Sequence, residues 1–283
     1  MDILLKSLSV VNPMKIFKEF YRFILHIIEN RRLISTLVKN DFKKQYLGSY
    51  LGLIWVFIQP IIFMAAIWFV FEVGFRGNQP MKETPFFLWL MSGMVPWMFF
   101  SNAVSGGTEA IVHNAYLVKK VAFRVSILPL VNIGSALIIH FIFIFILIIL
   151  FLLQGIQPTI YWIQLFFFAI CNIFLLTGIS WLTSAIRVFI KDITTFVGII
   201  LQLGFWFTPI FWSPEMFPPK FQYLLQFNPL FFIVNGYRSS LIDNKWFWET
   251  PEPFIYFLMI AFSLFIAGAI TFKRLRPHFA DVL

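Results

Sequence analysis

The sequence predicts an all-α membrane protein with six transmembrane helices, an N-terminal amphipathic interface helix and short re-entrant helices between spans 5 and 6. Three observations lead there. Residues 125–186 run for 62 positions without Asp, Glu, Lys or Arg, broken near the middle by Gln154-Gly155-Ile156-Gln157-Pro158. A helix needs about 20 apolar residues to cross the ~30 Å hydrocarbon core, so this interval holds two crossings joined by a turn. Four more charge-free intervals, 45–71, 84–108, 193–214 and 253–272, are 20 to 27 residues long and rich in Ile, Leu, Phe and Trp. Composition is 60% hydrophobic and 12% charged, where a soluble domain carries about 25% charged residues.

The spans are expected at about 51–73, 86–106, 127–153, 159–186, 194–212 and 253–272, forming one transmembrane domain over residues 1–283. Their orientation follows from the 22 Lys and Arg residues. Seventeen lie in residues 1–50 or after spans 2, 4 and 6, and five (Arg76, Lys82, Lys220, Arg238, Lys245) on the opposite side. The positive-inside rule then places both termini in the cytoplasm of a multi-pass plasma (inner) membrane protein. No cleavable signal peptide is legible in the first 30 residues, where basic and apolar positions alternate. The net charge of +9 is mainly this topology signal, with attraction to anionic membrane lipids added, and calls for no nucleic acid.

Ahead of the first span, residues 14–30 place Phe17, Phe20, Tyr21, Ile24, Leu25, Ile27 and Ile28 on one helical face, with Lys15, Lys18, Glu19 and Arg22 mostly opposite. Such a helix lies along the membrane surface, either as a lipid anchor or as a platform for a cytoplasmic partner. Between spans 5 and 6, residues 221–237 lack charge but include Gln222, Gln226, Asn228 and Pro229. That composition spans poorly, and two short helices dipping into the outer leaflet fit it better. A lone Cys171 forms no intramolecular disulfide and reads as a small apolar filler.

Several stretches stand out: Lys39 to Trp55 continued by Gln59-Pro60, the glycine and proline pair in Ser92-Gly93-Met94-Val95-Pro96-Trp97, Asn114 to Phe123 with Leu128-Pro129, Lys191-Asp192, Phe207-Thr208-Pro209-Ile210, Asn228-Pro229 and Arg276 to Asp281. In their order and spacing they resemble the permeases of the type-2 ABC exporter family, whose glycine and proline break the second of them matches, and in particular the group that moves lipid-linked O-antigens, capsules and teichoic acids. Ala122-Phe123-Arg124 stands where many relatives carry Phe-Pro. The resemblance implies a homodimer of this permease working with two copies of a cytoplasmic ABC ATPase subunit, which binds the ATP and Mg.

Exporting a hydrophilic polymer through hydrocarbon needs a source of free energy. The chain has no Gly-Lys dipeptide, hence no GxxxxGK[ST] phosphate loop, and no cofactor of its own is expected. Ion-driven transport calls for ionisable groups deep in the spans, and the candidates are His140, Glu72 and Glu109. His140 among Ile and Phe reads as a side chain hydrogen-bonded to a neighbouring helix. The chain is therefore expected to be a permease, not an enzyme.

The coupling element is expected at His113, Asn114, Tyr116, Leu117, Val118, Lys119 and Lys120, polar at both ends with an apolar centre that suits a partner's groove. The surface helix with Phe17, Phe20, Tyr21 and Ile24 is the second candidate. The resemblance implies a substrate pathway along Trp55, Phe63, Trp68 and Phe69 of span 1 and Phe196, Phe205, Trp206 and Phe207 of span 5, where rings would stack on sugar faces. The ordinary reading of these aromatics is interfacial belts and lipid-facing filler. Lys39, Lys43, Lys44 and Arg124 stand where a pyrophosphate headgroup would approach from the cytoplasm, although basic residues at inner helix ends are general.

The favoured function is the transmembrane subunit of an ATP-driven exporter of a lipid-linked glycopolymer, of the wall teichoic acid or O-antigen type. Export of a small drug or lipid is the alternative, and predicts a closed central pocket instead of a continuous channel. A membrane-embedded transferase is more distant, because no Asp-x-Asp, His-x-x-x-His or paired carboxylates stand at helical spacing in a span.

Overall fold

The computed structural model describes residues 29–46, 52–74, 84–119 and 123–283. The surface helix expected at 14–30, with Phe17, Phe20, Tyr21 and Ile24, lies outside those residues, and so does Lys120. Regular structure among the described residues is helical: α1 (Arg31–Tyr46), α2 (Gly52–Trp68, continued by a wider π turn to Gly74), α3 (Phe86–His113), the one-turn α4 (Ala115–Val118), α5 (Leu128–Leu153), α6 (Gln164–Arg187), α7 (Ile193–Phe207), α8 (Pro219–Leu225), α9 (Pro229–Arg238), α10 (Pro251–Leu275) and the terminal α11 (Phe279–Val282).

Five stretches are long and apolar enough to cross a membrane: 54–71, 86–113, 125–153, 160–187 and 251–282. The fifth of the six expected spans is shorter. α7 has 15 residues and at 1.5 Å per residue extends about 22 Å. It stops at Phe207 because Thr208 precedes a proline and adopts an extended conformation, with φ −92° and ψ 135°. The Thr208 hydroxyl and N–H both turn back to donate to the Gly204 carbonyl.

α3 is the central helix, buried along most of its length and flanked by α5, α6, α7 and α9. The Gly-Pro element expected to break it does not: the helix runs through Pro96 and on to His113. A proline inside a transmembrane helix is tolerated where protein encloses it; Pro96 is buried, and Asn172 of α6 ties that helix to α3 here by donating to the Pro96 carbonyl at 3.4 Å. The helix also continues beyond 106, past Glu109, whose charge is met by Arg187 of α6.

α10 packs chiefly on α6, and two glycines bring their backbones together. A Cβ on Gly268 would overlap the Gly178 carbonyl, and one on Gly178 would stand 2.7 Å from the Phe265 backbone. Small residues permit this close approach, the packing that membrane helices favour where no hydrophobic driving force draws them together. α1 lies across α5, where Gly134 admits Val38 and the Ser135 hydroxyl donates to Asp41 at 2.7 Å.

The helices give the bundle two ends. α1, α4, the 187–193 turn and α11 share one, where α11 touches α4. At the other, Thr159 donates to Asn244 at 2.8 Å and Gln164 bridges the Lys245 carbonyl and the Phe247 N–H. Between them α2 is nearly bare, with Ile54, Ile61, Ile62, Phe63 and Phe69 about half exposed or more.

Candidate functional site

Most of the aromatics expected on the pathway lie on exposed faces of α2 and α7. Trp55, Phe63, Trp68 and Phe69 of α2 and its π turn are exposed, as are Phe196, Trp206 and Phe207 of α7. Phe205 is half-buried and joins the two helices, with its ring 5.5 Å from that of Phe63 and 5.8 Å from that of Trp97 on α3. Beside this junction a groove of about 510 Å³ is walled by Trp55, Gln59, Phe63, Trp97, Ser101 and Asn102. The groove therefore offers flat rings together with amide and hydroxyl partners. Trp68, Phe69, Phe196, Trp206 and Phe207 share the uncovered face but not the groove wall.

At the α4 end, the expected coupling residues separate into two groups. Tyr116 is 54% exposed, and His113 and Lys119 are exposed as well. Leu117 and Val118 are half-buried against an inner cluster that includes Ile111, Leu128, Trp181 and Phe279, so they anchor α4 to its own bundle. Asn114 holds the helix junction by donating from its side chain to the Ala110 carbonyl. Of the four cations expected to meet a headgroup, Lys44 reaches α4, with Nζ 3.5 Å from the Tyr116 hydroxyl and 5.5 Å from the ring centroid. Lys43 and Lys44 line a cavity of about 270 Å³ together with Asn40, Asn114 and Tyr116. Lys39 and Arg124 are exposed but do not line it.

A tie among three helices stands beside this patch. The Arg187 Nε donates to Glu109 Oε1 at 2.7 Å and also contacts Thr194 of α7 at 2.7 Å, while the Thr194 hydroxyl donates to the same carboxylate. His113 lies 4.0 Å from the other oxygen of Glu109. Glu109 is thus held in an ion pair. His140 is hydrogen-bonded to the Tyr237 hydroxyl at 2.7 Å and stacks on Phe99, which fastens α5 to α9 away from the groove. Among the described residues no cluster of three or more His, Cys, Asp or Glu is placed to hold a metal ion.

The opposite end is organised by Arg238, which is only 4% exposed. Its guanidinium donates to the Pro209 carbonyl at 2.5 Å and the Ile210 carbonyl at 2.6 Å, and lies 3.5 Å from the centre of the Trp89 ring. Gly93 makes room for it, since a Cβ there would stand 2.7 Å from Nη2. Asn228 caps α9 by accepting from the Leu230 N–H and donates from its amide to the Thr208 hydroxyl at 2.9 Å. The Phe207-Thr208-Pro209-Ile210 and Asn228-Pro229 elements, remote in sequence, are one bracket that fixes the end of α7 to α9.

Residues 32–242, or 211 of the 283, match the family described as ABC-2 type transporter. The chain belongs to that family. Two proteins named O-antigen export system permease protein RfbA, both from Klebsiella pneumoniae, are 29% and 27% identical to it, each over 89% of this chain and 95% of its own length. A Myxococcus xanthus protein of the same name is 25% identical over 92% of this chain and 98% of its own.

In this ABC-2 chain, sequence reasoning brought Phe63 and Phe205 to one face but passed over their neighbour Trp97, which reads as part of a proline-containing span. It also missed Arg238, counted as one more outer charge. The available signal was Arg238 adjoining a charge-free stretch of 17 residues, 221–237, because a cation at the end of an apolar helix in a membrane is expected to find backbone carbonyls or a ring. The Gly178 and Gly268 contact carried no local signal at all, because each glycine is unremarkable without the other.

Proposed function

We propose that this ABC-2 chain is the transmembrane subunit of an ATP-driven exporter that moves a lipid-linked cell-surface glycopolymer out of the cytoplasm. The observation that carries the reading is the uncovered aromatic face of α2 and α7 joined to a groove with amide and hydroxyl groups. A polymer conduit requires many weak, similar contacts, because one tight site would stall the moving chain. Rings on sugar faces, with Gln59, Ser101 and Asn102 exchanging hydrogen bonds with hydroxyls, meet that requirement. The groove is open on its side, and a second copy of the permease presenting the same face would close it into a channel. The names of the relatives favour an O-antigen-type polysaccharide over a teichoic acid.

In this reading the α4 end faces the cytoplasm, because the excess of Lys and Arg lies there, and both termini are cytoplasmic. Six helices cross the membrane, with α7 completed by the buried stretch 208–211, while α8 and α9 dip into the outer leaflet. Two copies of a cytoplasmic ABC ATPase bind ATP and Mg and dock on the surface helix and on α4. Tyr116, His113, Lys119 and Lys120 meet the ATPase, and Leu117 and Val118 pass its push into the bundle. Lys39, Lys43, Lys44 and Arg124 draw in the pyrophosphate headgroup, and the contact of Lys44 with Tyr116 supports a reading in which cargo entry and motor docking are neighbours.

Proteoliposomes that hold the permease with its ATPase test this. ATP-dependent delivery of a lipid-linked polysaccharide to the far side is expected, and Trp55→Ala with Phe63→Ala should slow it at least tenfold. Delivery of small amphiphiles and no polymer would overturn the reading, as would polymer delivery by the permease alone.

A further inference from the structure

The α9 end holds a cavity of about 680 Å³ between α8, α9, the start of α10 and the 239–250 segment. Its size lies within the ~300–1,000 Å³ usual for small-molecule sites. Gln226 and Asn235 supply amides, Glu252 and Asp243 supply carboxylates, and Trp246 and Phe247 supply the apolar part. The side chains of Gln226, Asn235 and Glu252 make no hydrogen bond within the chain among the described residues, so donors and acceptors stand ready for a ligand. The inner wall includes Arg238, 96% buried by its 4% exposure, whose Nε has no hydrogen-bond partner even though both terminal nitrogens are engaged.

Amides and carboxylates beside an aromatic wall are the complement of a sugar ring, which presents adjacent hydroxyls at its edge and C–H groups on its faces. Net charge narrows the class. Glu215 and Glu249 join Asp243 and Glu252 on the wall, against Arg238 and Lys245. With Arg238 already shared between two carbonyls and the Trp89 ring, carboxylates dominate the rim, so a phosphate or a uronate is repelled and a neutral or amino sugar is favoured. We propose that this cavity is a binding subsite for a short segment of neutral or amino-sugar saccharide at the outer end of the permease.

The identification of the saccharide as part of the exported chain rests on the exporter reading. The wall chemistry does not. Arg238 forms the back of the subsite and also holds the turn that ends α7, so a sugar seated in the cavity rests against the bracket that fixes a pathway helix.

The test uses the full-length permease with its ATPase in lipid nanodiscs, with saturation-transfer NMR and titration of three disaccharides: cellobiose, the glucosamine disaccharide and cellobiouronic acid. Saturation transfer is expected to the first two, with the uronate at least fivefold weaker. Glu252→Gln and Asn235→Ala should each weaken binding at least threefold, and together at least tenfold, with thermal unfolding matched to the parent as the check on folding. Equal affinity for all three sugars, binding untouched by the double variant, or no transfer to any of them overturns the subsite. A complex that delivers polysaccharide normally yet binds no disaccharide overturns the subsite alone. A complex that delivers none, but loses disaccharide binding in the double variant, overturns the exporter reading and leaves the subsite standing.

Discussion

Replacing Arg238 with Met removes the two donors that hold the end of α7 while keeping a side chain of similar reach. The Pro209 and Ile210 carbonyls are then left buried without a partner, and each such group costs about 1–3 kcal/mol. Loss of the contact with the Trp89 ring adds about 2 kcal/mol at a desolvated site. Against this, the variant no longer buries a guanidinium, which offsets several kcal/mol. The balance is a local destabilisation of about 1–4 kcal/mol, and at 1.4 kcal/mol per decade it favours local opening by about 5- to 700-fold. Amide hydrogen exchange in detergent or nanodiscs reads this directly: α9 and the 208–212 turn should lose protection while the α6–α10 pair keeps its own. Arg238→Lys should fall nearer to Met than to the parent, because a single ammonium does not span two carbonyls as the planar fork does. Unchanged exchange across α9 in the Met variant would show that the bracket does not hold this end.

Gly268→Val should push α6 and α10 apart and cost at least about 1–3 kcal/mol, the usual penalty of overpacking, measured as a lowered midpoint of thermal or SDS-induced unfolding; Gly198→Val, where a Cβ meets open space, is the matched control. Glu109→Gln or Arg187→Met alone should destabilise the α4 end, and a double-mutant cycle should return a coupling of about 0.5–3 kcal/mol for residues in contact. Zero coupling would mean that the pair is incidental. Lys119→Glu and Lys120→Glu combined with Leu117→Ala should abolish stimulation of the partner ATPase and polymer delivery while membrane insertion, followed by glycosylation or cysteine mapping, stays intact. Because Leu117 is half-buried, Leu117→Ala alone should also lower thermal stability, whereas Tyr116→Ala should leave stability unchanged and reduce coupling.

The positions of the long helices were legible because intramembrane charge is costly and its absence marks each crossing. The exceptions have local causes. α3 outruns the expected boundary at 106 because Glu109 finds Arg187 and Thr194, partners on two other helices. α7 falls short because Thr208-Pro209 ends the helix inside an interval that contains no charge. Of the candidate site, the pairing of α2 with α7 came from the family resemblance, because aromatic type alone suits lipid-facing filler equally well. Apolar character alone did not separate Tyr116, which faces outward, from Leu117 and Val118, which pack inward, since that division depends on Trp181 and Phe279 arriving from far along the chain. Arg238 was hidden for a related reason: counting charges sorts a cation by the side of the membrane it marks, not by the carbonyls it reaches.

The backbone contact between Gly178 and Gly268 has a consequence for biogenesis. α6 is complete at Arg187, but its closest neighbour is not finished until Leu275, 88 residues later. At ~5–20 residues per second the ribosome takes roughly 4–18 seconds to cover that distance. During this interval the seam on α6 that includes Gly178 faces lipid or the insertion machinery instead of α10. Truncated chains that end before Pro251 therefore emerge with their smoothest surface unmatched, and quality-control proteases should discriminate against them more strongly than against chains shortened from α11 alone.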